Sequence, residues 1–362
     1  MKIALINDTH FGARAESPAF NEFFFKFWDN VFFPYIEQHG IKKIIHLGDI
    51  VDRRKYINYV ILNSMRVRFM KRIGELGCTI DVIVGNHDVP YRNTNEINAM
   101  SELFADCKFL RVFHKPETIN YDGLDIAIIP WINSGNLRET LDFIDNTPAQ
   151  IAMGHLEVAG FEMDKGSISQ TGFDRSTFKK FETAYTGHFH HKSTDGHIYY
   201  LGNQFEITWA DYGDQRGFHV FDTNTRKIEF VANPYRMFHK IEYDDSNGFG
   251  IPHSLTFEAI NARDFSEYTS TTVKVIVINK TNPILFDKFM DKLYEAHPLD
   301  VDIVEDFIGF NEMSDEDIID KADSTTTIVD KYIDSIEIGL DKEKLKSLMR
   351  EIYNQAHDLE AT

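Results

Sequence analysis

Thiols are scarce: Cys78 and Cys107 are the only cysteines among 362 residues. Two are too few for a disulfide framework or a thiolate metal cage, and they fit a reducing, cytoplasmic compartment. Positive charge is scarce too, with 38 Lys plus Arg against 57 Asp plus Glu and a formal net charge of −19. Sequence-independent affinity for phosphate comes from basic surface, so this balance argues against a generic nucleic-acid coat. Long apolar runs are missing. The run Ile3 to Ile6 has four residues, where a secretory signal needs about 7 to 15, and no stretch approaches the ~18 apolar residues of a membrane span. Yet hydrophobic residues make up 43% of the chain, with 30 Phe and 15 Tyr, which excludes disorder. The expectation is a folded, acidic, soluble protein of two or three domains.

From the start to about residue 234, short β-rich apolar runs alternate with longer helical patterns, which predicts a layered α/β fold. Strands are expected at Lys2 to Asn7, Lys43 to Leu47, Thr79 to Val84, Asp125 to Ile129, Gln150 to Met153 and Thr183 to Thr186. Helices are expected at Pro18 to Gln38 and Ile57 to Leu76. Ile198 to Leu201, Gly217 to Asp222 and Ile228 to Ala232, joined by Gly, Asp and Asn turns, read as antiparallel additions. Between about 235 and 308, Thr272 to Ile278, Ile284 to Tyr294 and Val301 to Val304 suggest a small βαβ module. An acidic linker over about 309–324 follows, and then a terminal segment, 325–362. There Leu345, Leu348, Met349, Ile352 and Ala356 form one apolar stripe behind an N-cap at Asp341. Such a stripe docks either on its own domain or in a partner's groove.

Five polar signatures occur in order, most of them directly after an apolar strand. They are Asp8-Thr9-His10, Gly48-Asp49-Ile50-Val51-Asp52, Gly85-Asn86-His87-Asp88, Gly154-His155 and Gly187-His188-Phe189-His190-His191. Taken singly, each could be a turn or a hydrogen-bonded polar pair. Together they are what an α/β sheet needs to gather ligands from distant sequence at the carboxyl ends of its strands. Asp8, His10, Asp49, Asn86, His155, His188 and His190 exceed the needs of one ion, so two divalent metals are expected. Imidazole, carboxylate and one amide without thiolate suit manganese, iron or zinc better than magnesium or calcium.

This ordered set resembles the calcineurin-like metallophosphoesterase superfamily, whose pattern is D-x-H, G-D-x-x-D, G-N-H-[DE], G-H and G-H-x-H. Gly85 to Val89, Ile129-Pro130-Trp131, Gly154 to Gly160, Arg216-Gly217-Phe218 and Phe221-Asp222 are more narrowly similar to nuclease subunits of SbcCD-type complexes, especially those of T-even-like phages. The resemblance implies a layered β-sandwich flanked by helices over 1–234, an α+β capping domain over 235–308 that governs DNA access, and partner-binding helices over 325–362. It implies that Asp8, His10, Asp49 and His190 hold one manganese ion, and Asp49, Asn86, His155 and His188 the other. His87 would then contact the scissile phosphate and protonate the departing 3′ oxygen, with Asp88 orienting its ring.

The implied activity is a 3′ to 5′ exonuclease on duplex DNA and an endonuclease on single strands, in a homodimer controlled by an SMC-like ATPase. The tail carries 14 acidic against 6 basic residues from 309 onward, a charge that suits a basic protein surface better than DNA. One position departs from archaeal and eukaryotic relatives, which place His where this chain has Asp52. Gly48 to Arg53 therefore also resembles the protein phosphatase pattern G-D-x-V-D-R, which makes Arg53 a candidate phosphate contact. A phosphoprotein or small phosphoester phosphatase is accordingly the alternative expectation, and a binding subunit without chemistry a third. The last should have lost ligands, and none is missing.

Overall fold

The computed structural model describes residues 1–164, 166–246, 256–305, 333, 342–349 and 352. The chain divides into two compact units, the first comprising Met1–Tyr235 and the second beginning at Arg236.

The first unit is built on two six-stranded sheets. Across one sheet lie Ile228–Ala232, Gly217–Asp222, Lys2–Ile6, Lys43–His46, Thr79–Ile83 and Leu110–Phe113; across the other lie Ser193–Thr194, Ile198–Tyr200, Thr183–Gly187, Ile151–His155, Leu124–Ile129 and Glu117–Tyr121. The central strands of each sheet run parallel, while Gly217–Asp222, Ile228–Ala232, Glu117–Tyr121 and Ser193–Thr194 add in antiparallel sense.

Alternation of side chains explains the layering. Ile3, Leu5, Ile45, Leu47 and Ile83 from one sheet meet Ile126, Ile128, Ile151, Met153 and Tyr185 from the other in a single core. Their neighbours Ala127, Ile129, Ala152, Ala184 and Ile198 point the opposite way, against Ile144, Phe178 and Phe181. The fold is thus a helix-flanked α/β sandwich.

The expected helix Pro18 to Gln38 forms, with a π-helical turn at Trp28–Phe32 between Pro18–Phe27 and Phe33–Gln38. That wide turn ends beside Pro34, whose missing N–H could not close a regular helical bond. The second helix starts at Tyr59 because Asn58 caps it, its side-chain oxygen accepting from the Val60 amide at 2.8 Å. The two helices meet through rings, with Trp28 and Phe69 centroids 5.0 Å apart. Full burial of each such side chain stabilises by roughly 1.5–3 kcal/mol. Two strands beyond those expected, Leu110–Phe113 and Glu117–Tyr121, lie at sheet edges, and each has a single buried residue, Phe113 and Tyr121.

In the second unit, three parallel strands, Phe238–Asp244, Thr272–Asn279 and Asp300–Glu305, carry the helices Phe257–Ala262 and Pro283–Glu295. The expected βαβ module therefore gains a further strand before it. Val273, Val275 and Val277 pack against Leu285, Phe286, Phe289 and Leu293. The expected linker over 309–324 and the N-cap at Asp341 lie outside the described residues; residues 342–349 are helical.

Candidate metal centre

All five signatures arrive at the carboxyl ends of strands. Asp8 and His10 follow Lys2–Ile6, Asp49 follows Lys43–His46, and Asn86 and His87 follow Thr79–Ile83. From the facing sheet, His155 ends its own strand, and His188 and His190 follow Thr183–Gly187. Residues up to 180 positions apart thereby become neighbours.

Two groups of donor atoms result. Asp8, His10 and His190 form one and Asp49, His155 and His188 the other, the atoms of each lying within 4.8 Å of one another. In the first, Nε2 of His10 and Nε2 of His190 face each other at 3.0 Å. In the second, Asn86 Oδ1 is 2.9 Å from both His155 Nε2 and His188 Nδ1. Asp49 Oδ2 lies between the groups, 3.9 Å from His10 Nε2 and 3.3 Å from His155 Nε2. Lone-pair donors converging in buried surroundings are what a divalent cation requires.

Supporting contacts fix the donors. Nδ1 of His155 donates to the Leu47 carbonyl at 2.8 Å, so Nε2 is the nitrogen that faces the cluster and would offer a cation its lone pair on losing its proton. Asn7 Nδ2 donates to Asp8 Oδ2 at 2.6 Å. His46 accepts from the Gly48 amide at Nδ1, 3.2 Å away, so its Nε2 carries the proton toward Thr9 Oγ1 at 3.0 Å. A Cβ on Gly48 would collide with the His155 ring and one on Gly85 with Asp49, so both positions require glycine for close approach. Asp8, His10, Asp49 and His188 all have positive φ, between 41° and 89°. Such backbone costs of order 1–3 kcal/mol per residue and clusters at functional sites.

The electrostatics follow from burial among mixed charges. Burial raises the Asp8 carboxyl to about 6, with Asp49 adding to the rise and His155 and His10 opposing it. Burial also works against protonation of His10 and His155, but Asp52 and Asp49 beside the first and Asp49 and Asp8 beside the second hold both pKa values at about 9. Against burial, His155 and His87 keep Asp49 well below the usual carboxylate range. Burial, then the His155 charge, lowers His188 to about 3. Burial and His10 lower His190 well below its ordinary value. The carboxylates that attract protons to His10 and His155 would attract a divalent cation for the same reason.

His87 stands outside both groups, half-buried, with its ring centroid 4.9 Å from that of His10. Its orientation differs from the sequence expectation. Nδ1 of His87 donates to the Asp52 carbonyl at 2.6 Å, whereas Asp88 accepts four backbone amides, those of Gly85, Asp49, Ile50 and Val51. Asp88 therefore staples two loops together, because a buried carboxylate with four amide donors in reach has no lone pair left for a ring. Burial, then Asp49, raises its pKa, and the amides pull it back. Asp52, treated in the sequence as a departure, lies 3.4 Å from His10 Nδ1 through Oδ1. Sequence reading missed its double contact, since only the fold brings residue 52 against both histidines. Arg53 Nη1 donates to the Tyr56 hydroxyl.

Residues 1–192 match the family described as calcineurin-like phosphoesterase. The chain belongs to that family. Enzymes of this family bind two divalent cations, and this phosphoesterase offers one donor group for each. The chain is also 30% identical over 359 residues to exonuclease subunit 1 of Enterobacteria phage T4, covering 98% of this chain and 99% of that one. A solved archaeal phosphodiesterase is similar at 13% identity with a TM-score of 0.34, over 64% of this chain and 100% of the other. Among the described residues, no helix of the phosphoesterase is long and apolar enough to cross a membrane.

Proposed function

We propose that this phosphoesterase is a manganese-dependent DNA nuclease, acting as a 3′ to 5′ exonuclease on duplex ends and an endonuclease on single strands. The observation that carries the reading is the extent of the T4 similarity. It continues far past residues 1–192 to span 98% of the chain, so the second unit and the tail fall within it as well. In this reading Asp8, His10, Asp49 and His190 hold one cation, and Asp49, Asn86, His155 and His188 the other. Two bound cations would polarise the phosphodiester and lower the pKa of an attacking water.

The chain's own residues supply the rest. His87, anchored at Nδ1 by the Asp52 carbonyl, contacts the scissile phosphate and acts as the general acid toward the departing 3′ oxygen. Asp88 positions the Asp49 backbone, and Arg53 contacts a neighbouring phosphate. The second unit governs DNA access, and the protein works as a homodimer. The terminal helix binds an SMC-like ATPase. Its residues Leu348 and Ile352 are 51% and 48% exposed, an apolar stripe that suits a partner's groove.

Purified full-length chain, stripped with chelator and reloaded with manganese, is given end-labelled duplex DNA and, separately, p-nitrophenyl phosphate. Cleavage of DNA is expected. Hydrolysis of the monoester alone would overturn the nuclease reading in favour of a phosphatase.

A further inference from the structure

Arg53-Arg54-Lys55 is a run of three positive charges in a chain of net charge −19, and it adjoins the candidate metal centre. Asp52, immediately before it, touches His10 through its side chain and His87 through its carbonyl. Each arginine lies against an aromatic ring. The Arg53 guanidinium is 5.1 Å from the Tyr56 ring centroid, and that of Arg54 is 5.7 Å from the centroid of Trp131. Trp131 is tied to the strand end that leads into Asn86 and His87, its amide donating to the Val84 carbonyl at 2.8 Å. Tyr56 is 48% exposed, so much of its ring faces solvent.

We infer that Tyr56 and Trp131, each paired with a guanidinium, form a stacking platform for unpaired nucleobases beside the phosphodiester held at the metal centre. This rests on the nuclease reading and narrows its substrate to single-stranded or frayed nucleotides near the scissile bond. Every base has a π face, so aromatic rings hold unpaired bases without regard to sequence, and the adjacent guanidinium meets the neighbouring phosphate. A closed duplex keeps its bases stacked on one another and offers the rings nothing. An acidic protein gains little from long-range attraction to DNA, which leaves short-range contacts of this kind to hold the strand.

The probes are a short single-stranded oligodeoxynucleotide carrying 2-aminopurine and a blunt duplex with the same label, titrated with full-length chain in calcium. Stacking quenches the single-strand fluorescence in wild type. Tyr56→Ala is expected to weaken single-strand binding about 10-fold and abolish most of the quenching, with duplex binding changed less than about 2-fold. Tyr56→Phe, which keeps the ring, is expected to restore both. Equal losses on single strand and duplex, or undiminished quenching in Tyr56→Ala, would overturn the platform. Cleavage of the unlabelled single strand by wild type in manganese is measured alongside. Absence of cleavage on both this strand and the end-labelled duplex would overturn the nuclease reading and the platform with it, whereas cleavage with undiminished quenching in Tyr56→Ala would overturn the platform alone.

Discussion

Asp88→Asn separates the scaffold of the metal centre from its ligands. The carboxylate is 1% exposed; Oδ2 accepts from the amides of Gly85 at 2.8 Å and Asp49 at 2.9 Å, and Oδ1 from those of Ile50 at 2.8 Å and Val51 at 3.3 Å. Asparagine has the same shape, but one of its terminal atoms is a donor. In one orientation its NH2 faces Gly85 and Asp49, and in the other it faces Ile50 and Val51. Either way two buried amides lose their acceptor. At about 1–3 kcal/mol for each stranded group, stability should fall by roughly 2–6 kcal/mol. Each orientation also loosens the loop that holds Asp49 between the two donor groups, so cation binding should weaken as well. Urea unfolding followed by circular dichroism at neutral pH, in chelator so that cations do not contribute, reads the first effect. Calorimetric titration with manganese reads the second. A variant within about 1 kcal/mol of wild type that binds manganese unchanged would refute the stapling role.

Three other outcomes are expected. His87→Ala should lower the rate of DNA cleavage by about 10²–10⁴-fold while calorimetry still finds two manganese ions bound; cleavage at the wild-type rate would remove His87 from the chemistry. Deleting residues 340–362 should abolish co-purification with an SMC-like ATPase, and recovery of the partner at full stoichiometry would contradict the tail assignment. Burial, then the Lys192 charge, depresses the His219 imidazole to about 3. The unfolded chain therefore binds its proton first, so this contribution to stability is present above about pH 6.5 and is lost as pH falls toward 3, by about 1.4 kcal/mol per unit. His219→Gln should flatten the stability profile between pH 7 and 5.5, and an unchanged slope in urea unfolding would refute this origin.

The primary chain determined the donor inventory of this protein and its order. Asp8, Asp49, Asn86 and His155 are recognisable because each stands at or just after a short apolar run, a local property of the chain that needs no partner. The same runs made the central strands legible, whereas Leu110–Phe113 is interrupted by Arg111 and Glu117–Tyr121 by Thr118 and Asn120, and each buries a single residue. Tertiary structure decided the pairing. Only the meeting of two sheets places His10 Nε2 and His190 Nε2 3.0 Å apart. Only the packing of the loops after two strands turns Asp88 toward four amides and gives His87 the Asp52 carbonyl instead. The physical reason is that motif spacing encodes which side chains arrive at a strand end, while hydrogen-bond partners depend on where backbone N–H and C=O groups of remote segments come to rest. A carboxylate beside a histidine in sequence has no preference for that ring when four buried amides lie in reach.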